Sequence, residues 1–303
     1  MPAAALIGVD WGTTSFRAYL IDAHGRILDR RSAPAGILQV PDRDFARVLE
    51  QQVRAWHAAA RGAPIIASGM ITSRQGWQET PYLACPAGAG DLAAGLERRE
   101  TGLGRIHFVP GLRTEDADGV PDVIRGEETQ IAGLALDHGR DLRAVLPGTH
   151  SKWIEVRGGR IAGFQTYMTG EVYGVLREHS ILGRLMTGDD HDPVAFTRGL
   201  DAAGPGGRGL LRRLFSARTL GLFDRLQGGA IGPYLSGLLI GTEIAEALAE
   251  GRSADPLLVV GESTLAGRYL DAFRHVGVPA EAAPGDPAAA GHLAIGRAAG
   301  LIP

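Results

Sequence analysis

A chain of 303 residues has room for two domains of ordinary size. It is 45% hydrophobic and 21% charged, as soluble globular proteins are, and its formal net charge of −3 gives no overall attraction to nucleic acid or to an acidic membrane surface. Cys85 is the only cysteine, which excludes an intrachain disulfide and a cysteine-based metal cluster and leaves a buried structural thiol as the expected role.

The first ten residues lack a basic region and meet an acid at Asp10, so they read as a strand rather than a signal peptide, and a cytoplasmic location is expected. Residues 5–9 form a buried strand, 16–21 a second, Asp22-Ala23-His24-Gly25 a hairpin turn and 26–31 a third strand. Phe45, Val48, Leu49, Val53 and Trp56 stand at helical spacing and predict an amphipathic helix over 45–60. A short strand at 64–67 ends at Ser68-Gly69-Met70. Residues 71–90, rich in Gly, Pro and aromatics, are expected to be a functional loop region. A strand at 106–109 and a helix at 127–136 follow, then a linker at 137–141.

The opening pattern then restarts: a strand at 144–146, the turn Pro147-Gly148-Thr149-His150-Ser151, a strand at 152–156, the hairpin Arg157-Gly158-Gly159-Arg160 and a strand at 161–166. Further on, 199–209 is Gly-rich with Arg208, Arg212 and Arg213 nearby, and is expected to be a mobile surface loop. Residues 234–250 predict a strongly apolar helix, and 256–260 a buried strand feeding Gly261-Glu262-Ser263 and a helix. The last helix, 288–300, is rich in small residues and suits close packing between domains. Apolar runs such as Leu257-Leu258-Val259-Val260 are too short to cross a bilayer. The recurrence implies an α/β protein of two domains with one core topology, 1–137 and 138–287, with 288–303 packing back at their interface.

Each half opens with a turn suited to phosphate. Gly12 permits close backbone approach, while the amides and hydroxyls of Thr13, Thr14 and Ser15 form a concave array of donors. Asp10, at the strand end, suits Mg²⁺, which keeps most of its waters. Gly148-Thr149-His150-Ser151-Lys152 repeats the design and adds a cation, which serves a phosphate or a substrate carboxylate. Two such turns suit the phosphates of ATP, since phosphoryl transfer asks mainly for positioning and charge neutralisation. Between them lies Arg125-Gly126-Glu127-Glu128-Thr129-Gln130, where Glu127 at a helix start is placed to accept a hydroxyl proton; Glu128 and Asp122 are alternatives. No second His or Cys stands at ligand spacing from His150, so zinc is not expected.

With these turns the chain resembles the actin/Hsp70/sugar-kinase superfamily, which implies two ribonuclease-H-like domains with ATP in the cleft between them. In its sugar kinases a Gly-Asp-Gln-Gln-like segment supplies the base; Gly126-Glu127-Glu128-Thr129-Gln130 stands there, with Glu in place of Asp. The adenosine motif of the superfamily falls on Gly261 and Glu262. More narrowly the chain is similar to 2-dehydro-3-deoxygalactonokinases through Gly69-Met70-Ile71-Thr72-Ser73-Arg74-Gln75-Gly76-Trp77, Pro147-Gly148-Thr149-His150-Ser151-Lys152-Trp153, Met168-Thr169-Gly170-Glu171 and Leu235-Ser236-Gly237-Leu238-Leu239-Ile240-Gly241. That resemblance implies transfer of the ATP γ-phosphate, with Mg²⁺, to the C6 hydroxyl of 2-dehydro-3-deoxygalactonate. In that setting Arg74 is a bidentate partner for the substrate carboxylate, Trp77 and Tyr82 wall the sugar chain, and Ser15, Arg17 and Lys152 face the substrate. The partners expected are small molecules, with no nucleic acid and no membrane, in a monomer or homodimer.

Two other classes are weighed. An exopolyphosphatase-like hydrolase also carries a Gly-Glu-Glu segment, but favours a double glycine in the second turn, which 147–152 lacks. A non-catalytic ATP-binding protein like actin or Hsp70 needs insertions for which 303 residues leave little room.

Overall fold

The computed structural model describes residues 4–60, 62–135, 141–188, 191–204, 209–249 and 257–302. The chain separates into two compact units: Met1–Asp141 with Ile154–Phe164 and Pro284–Pro303, and Leu142–Trp153 with Gln165–Ala283. The expected boundary at 137/138 lies outside the described residues, as do Arg208, Glu250 and Pro256 and all of the expected linker except Asp141.

The chain opens as the expected meander of β1 (Ala4–Trp11), β2 (Phe16–Asp22) and β3 (Ile27–Ala33), paired antiparallel in turn. α1 (Phe45–Ala59) starts at Asp44, whose side chain accepts the Arg47 amide, and buries the five apolar residues that its spacing selected. β4 (Ile65–Ser68) runs parallel to β1. Within and beyond the expected loop region lie β5 (Tyr82–Ala84), α2 (Ala89–Ala94), β6 (Glu97–Thr101), β7 (Gly104–Phe108), β8 (Gly111–Glu115) and β9 (Pro121–Ile124). Reading 71–90 as loop throughout is therefore corrected: β5 pairs with β8 and β9 in a separate three-stranded sheet. These strands have only three to five residues, too few to carry an alternating signal. α3 (Glu127–Ala135) follows. The main sheet runs β3-β2-β1-β4-β7-β6, with Val9, Trp11, Phe16, Leu49, Ile65 and Phe108 in its core.

The second half contains β10 (Leu142–Leu146), β11 (Ser151–Arg157), β12 (Arg160–Tyr167), α4 (Thr169–His179), α5 (Pro193–Ala203), α6 (Leu210–Leu222), α7 (Gly228–Ala249), β13 (Leu257–Val259), α8 (Ser263–His275) and β14 (Ala280–Ala282), and α9 (Pro287–Ala298) closes the chain. Its sheet runs β12-β11-β10-β13-β14, repeating the third-second-first-fourth order of the first sheet, where β4 is followed by β7 and then β6. β13 is parallel to β10 and β14 to β13, as β4 is to β1 and β7 to β4.

Glycines set the helix contacts. The expected loop at 199–209 is corrected where it is described: Gly199 lies in the last turns of α5, because a Cβ there would come 2.1 Å from the Tyr234 carbonyl of α7. The α3–α9 crossing is closer still, since a Cβ on Gly291 would lie 1.8 Å from the Thr129 carbonyl and one on Gly133 would lie 2.1 Å from that of Pro287. Gly291→Val is therefore expected to destabilise the protein by about 1–3 kcal/mol or more through overpacking. Thermal unfolding measures this, and an unchanged Tm would mean that the two helices separate freely.

Candidate active site

β1 delivers Asp10 and Trp11 to a turn that enters β2, closed by the Gly12 amide donating to the Ser15 carbonyl at 2.9 Å. The segment after β3 secures it: Trp11 Nε1 donates to the Ala35 carbonyl at 2.7 Å, and the Ile37 and Leu38 amides donate to the carbonyls of Gly12 and Thr13. A Cβ on Gly36 would lie 2.3 Å from the Thr13 carbonyl, so this packing requires glycine. With its carbonyls so engaged, the turn leaves Thr13, Thr14 and Ser15 exposed.

Asp10 is 7% exposed, and its carboxylate accepts Arg17 Nη2 at 2.7 Å from the paired position on β2. Burial raises its pKa, and Arg17 opposes that shift. Beside it, β4 ends at Gly69 with φ 90°, where a Cβ would come 2.8 Å from the Trp11 carbonyl and 3.2 Å from Asp10 Oδ1. Gly126, with φ 114°, sits against the other side of Gly69, its Cβ position 3.1 Å from the Gly69 Cα. Three backbone segments thus meet where only glycine fits, and this brings the start of α3 to the end of β1. Below the junction, His292 of α9 bonds Ser68 Oγ at 2.9 Å and lies where a Gly8 side chain would be.

Glu127 is half-buried and accepts the Arg125 amide at 2.9 Å. Glu128 is buried, accepting the Gly126 amide at 2.6 Å and the Thr129 hydroxyl at 3.0 Å. Burial, and then the charge of Glu127, pushes its carboxyl up from 4.5 to about 7. The native state therefore holds this proton more tightly than the unfolded chain does. The stability it contributes is complete below about pH 4.5 and is lost as the pH rises through about 7. Glu128→Gln should remove a loss on the order of 3 kcal/mol across that window, read from urea midpoints at about pH 5 and about pH 8. An equal pH slope in both proteins would overturn the assignment. His292 acts oppositely: burial lowers it to about 4, so its contribution is lost as the pH falls from about 6.5.

The loop before α3 is held by Arg125, a residue that the sequence reading quoted without a role. Its guanidinium donates to the carbonyl and hydroxyl of Thr72 and to those of Thr80, and stacks 4.2 Å from the Tyr82 ring. Tyr82 is exposed and thereby tied to this loop. Arg74 is exposed and makes no hydrogen bond or ion pair among the described residues. Trp77 packs against Phe45 and Phe108 in the core, which gives its ring a structural place. Asp122 lies on β9, where it accepts the Val123 amide. Cys85 is half-buried rather than buried, and desolvation lifts its thiol to about 11.

In the second turn Thr149 and His150 are exposed, while Ser151 is buried. Ser151 donates to Glu243 of α7 at 2.7 Å, and the same carboxylate accepts Trp153 Nε1 at 2.7 Å and the Tyr269 hydroxyl at 2.6 Å. The Ser151 hydroxyl is thus engaged inside the protein, which corrects the picture of a hydroxyl displayed by the turn. α4 braces the other side: the Glu171 amide donates to the Thr149 carbonyl, Glu171 bonds His150 Nε2 at 2.5 Å, and a Cβ on Gly170 would lie 2.3 Å from the Gly148 carbonyl. Lys152 is buried and donates to Thr166 Oγ1 at 2.8 Å. Gly261 and Glu262 are exposed at the end of β13, the Gly261 Cβ position 3.7 Å from the Pro147 carbonyl. Sequence reasoning quoted Glu171 without a role and missed Glu243, for which the available signal was an acid within the strongly apolar α7.

Among the described residues no group of three or more His, Cys, Asp or Glu is placed to hold a metal. A lone buried carboxylate beside an exposed donor-rich turn nevertheless suits Mg²⁺, which commonly takes one or two protein carboxylates, phosphates and water.

The duplicated sheet order, with a glycine turn after the first strand of each copy, defines the α/β ribonuclease-H-like class of actin-like ATPases and sugar kinases. Within that class, residues 10–295 match the 2-keto-3-deoxy-galactonokinase family, and the chain belongs to it. It is 36% identical over 96% of both chains to a Rhizobium meliloti protein named "Probable 2-dehydro-3-deoxygalactonokinase DgoK1". It is 33% identical over 94% of both chains to the Escherichia coli 2-dehydro-3-deoxygalactonokinase. A crystal structure of a Sinorhizobium meliloti protein named for the same activity superposes with a TM-score of 0.87 at 34% identity, over 97% of this chain and 98% of the other.

Proposed function

We propose that this protein is a sugar-acid kinase that moves the γ-phosphate of ATP to the C6 hydroxyl of 2-dehydro-3-deoxy-D-galactonate in galactonate catabolism. The observation that carries this reading is the junction at Gly69, which sets Asp10, the 12–15 turn and the Glu127 segment side by side in a member of this family. Glu127 takes the hydroxyl proton, the freed oxygen attacks the γ-phosphorus, and the bond to the bridging oxygen breaks to release ADP. Gly12, Thr13, Thr14, Gly148, Thr149 and His150 bind phosphate, Ser151 offers its backbone amide, and Gly261 and Glu262 meet the adenosine. Asp10 would hold Mg²⁺, which supplies charge neutralisation when bound. Arg74 receives the substrate carboxylate, with Ser15, Arg17, Tyr82 and Lys152 around the sugar chain. Trp77 supports that loop from beneath.

The functional halves are taken as 1–137 with 288–303, and 138–287, in a cytoplasmic enzyme, monomer or homodimer, whose partners are small molecules. No described helix is long and apolar enough to cross a membrane. The test is ADP release from ATP across a panel of keto sugar acids. Turnover that depends on the 2-dehydro-3-deoxy acid supports the reading; equal turnover without any acceptor sinks it. Arg74→Ala is expected to raise the KM for the sugar acid at least about tenfold with a smaller change in kcat, since a charge-assisted pair is lost. An unchanged KM would move the carboxylate site to Arg17 or Lys152.

A further inference from the structure

The second turn is held by bonds that spare the His150 side chain. The Thr149 carbonyl accepts the Glu171 amide at 2.9 Å, and Gly148 fits closely against Gly170, where a Cβ would lie 2.3 Å from the Gly148 carbonyl. On the other side of His150, Ser151 donates its hydroxyl to Glu243 at 2.7 Å. The residues flanking His150 are therefore placed without help from the imidazole. The ring itself is held by the side chain of Glu171, whose Oε2 meets Nε2 at 2.5 Å. α4 thus reaches the turn twice, by main chain and by side chain, and joins two motifs that stand apart in the sequence, 147–153 and 168–171.

An acid in the first turn of a helix is favoured by the dipole alone, so its presence there assigns no role. Its contact does. A carboxylate beside a phosphate turn opposes nucleotide binding unless a cation stands with it. The imidazole can supply that cation. With Nε2–H committed to Glu171, it donates to a second acceptor only through Nδ1, and a ring that donates from both nitrogens is an imidazolium. Nδ1 makes no hydrogen bond among the described residues, and the side chain is exposed, so a ligand can reach it. A ring fixed in advance also lowers the ordering cost of binding.

We propose that Glu171 is a positioning residue for the nucleotide: its carboxylate holds Nε2–H of His150 and thereby presents Nδ1–H to a phosphate oxygen of ATP. This role, which rests on the reading of the chain as an ATP-dependent kinase, belongs to a side chain that acts through His150 and touches no substrate.

The test is long-range proton–nitrogen NMR of the full chain labelled at histidine, paired with calorimetric titration of a non-hydrolysable ATP analogue and Mg²⁺. The His150 signals are assigned by their loss in His150→Gln. In the free protein the ring is expected to carry a proton on Nε2, and the bound analogue is expected to shift Nδ1. Glu171→Ala should abolish the fixed Nε2–H and weaken nucleotide binding about two- to fivefold, the scale of an exposed ion pair. Glu171→Gln, whose amide oxygen still accepts Nε2–H, should keep the ring signature and part of the affinity. In a His150→Gln background Glu171→Ala should cost no further affinity, because the residue acts through the imidazole. Should Glu171→Ala fail to fold, the spectra of the parent and of Glu171→Gln still decide. The proposal is overturned if His150 carries no proton on Nε2, if the bound analogue leaves Nδ1 unmoved, or if Glu171→Ala changes affinity equally with and without His150 or not at all. A parent protein that binds no nucleotide sinks the kinase reading as well; one that binds it with His150 unmoved sinks only this role.

Discussion

Glu127→Gln is expected to lower kcat by about 10²–10⁴, the range of a general base, while ATP binding stays near its original strength. The substitution is nearly isosteric, and the amide oxygen still accepts the Arg125 amide that holds the present side chain. Loss of rate would therefore report the missing base rather than a collapsed loop. The measurement is steady-state kinetics with the sugar acid, paired with nucleotide titration. Near-normal kcat would move the role to Glu128 or Asp122. Those sites are less apt: the Glu128 carboxyl is buried and engaged with Gly126 and Thr129, and Asp122 lies out on β9.

Glu243→Ala is expected to cost about 3–5 kcal/mol of stability, because it strands three buried donors that now share one carboxylate. Those donors are Ser151 in the second turn, Trp153 on β11 and Tyr269 on α8. The turn is anchored through its own serine, so the KM for ATP should rise along with the loss of stability. Denaturant unfolding reads the first effect and initial rates the second. A variant as stable as the parent would mean that water replaces the carboxylate at no cost. Glu243→Gln is a useful companion, since its amide oxygen can satisfy only part of the set and its amide group faces other donors.

Some of this was legible in one dimension. The meander and its recurrence could be read because strand alternation, turn glycines and hydroxyls act over a few residues. The α1 stripe was readable for the same reason. The small sheet of β5, β8 and β9 was not, since its strands of three to five residues owe their pairing to one another rather than to a pattern of their own. Gly199 looked like loop chemistry and proved to be helix-contact chemistry, because a glycine in sequence does not reveal which backbone approaches it.

By itself the sequence determined the two Gly-Thr turns, the Glu127 segment between them and the doubled α/β topology, and its match over residues 10–295 placed the chain in its family. Tertiary structure alone decided which side chains hold those parts. Arg125 reaches Thr72 across 53 residues, Glu243 reaches Ser151 across 92 and His292 reaches Ser68 across 224. Contacts of that span leave no periodicity or local motif behind. They exist because packing brings particular donors and acceptors out of water together, where each must find a partner.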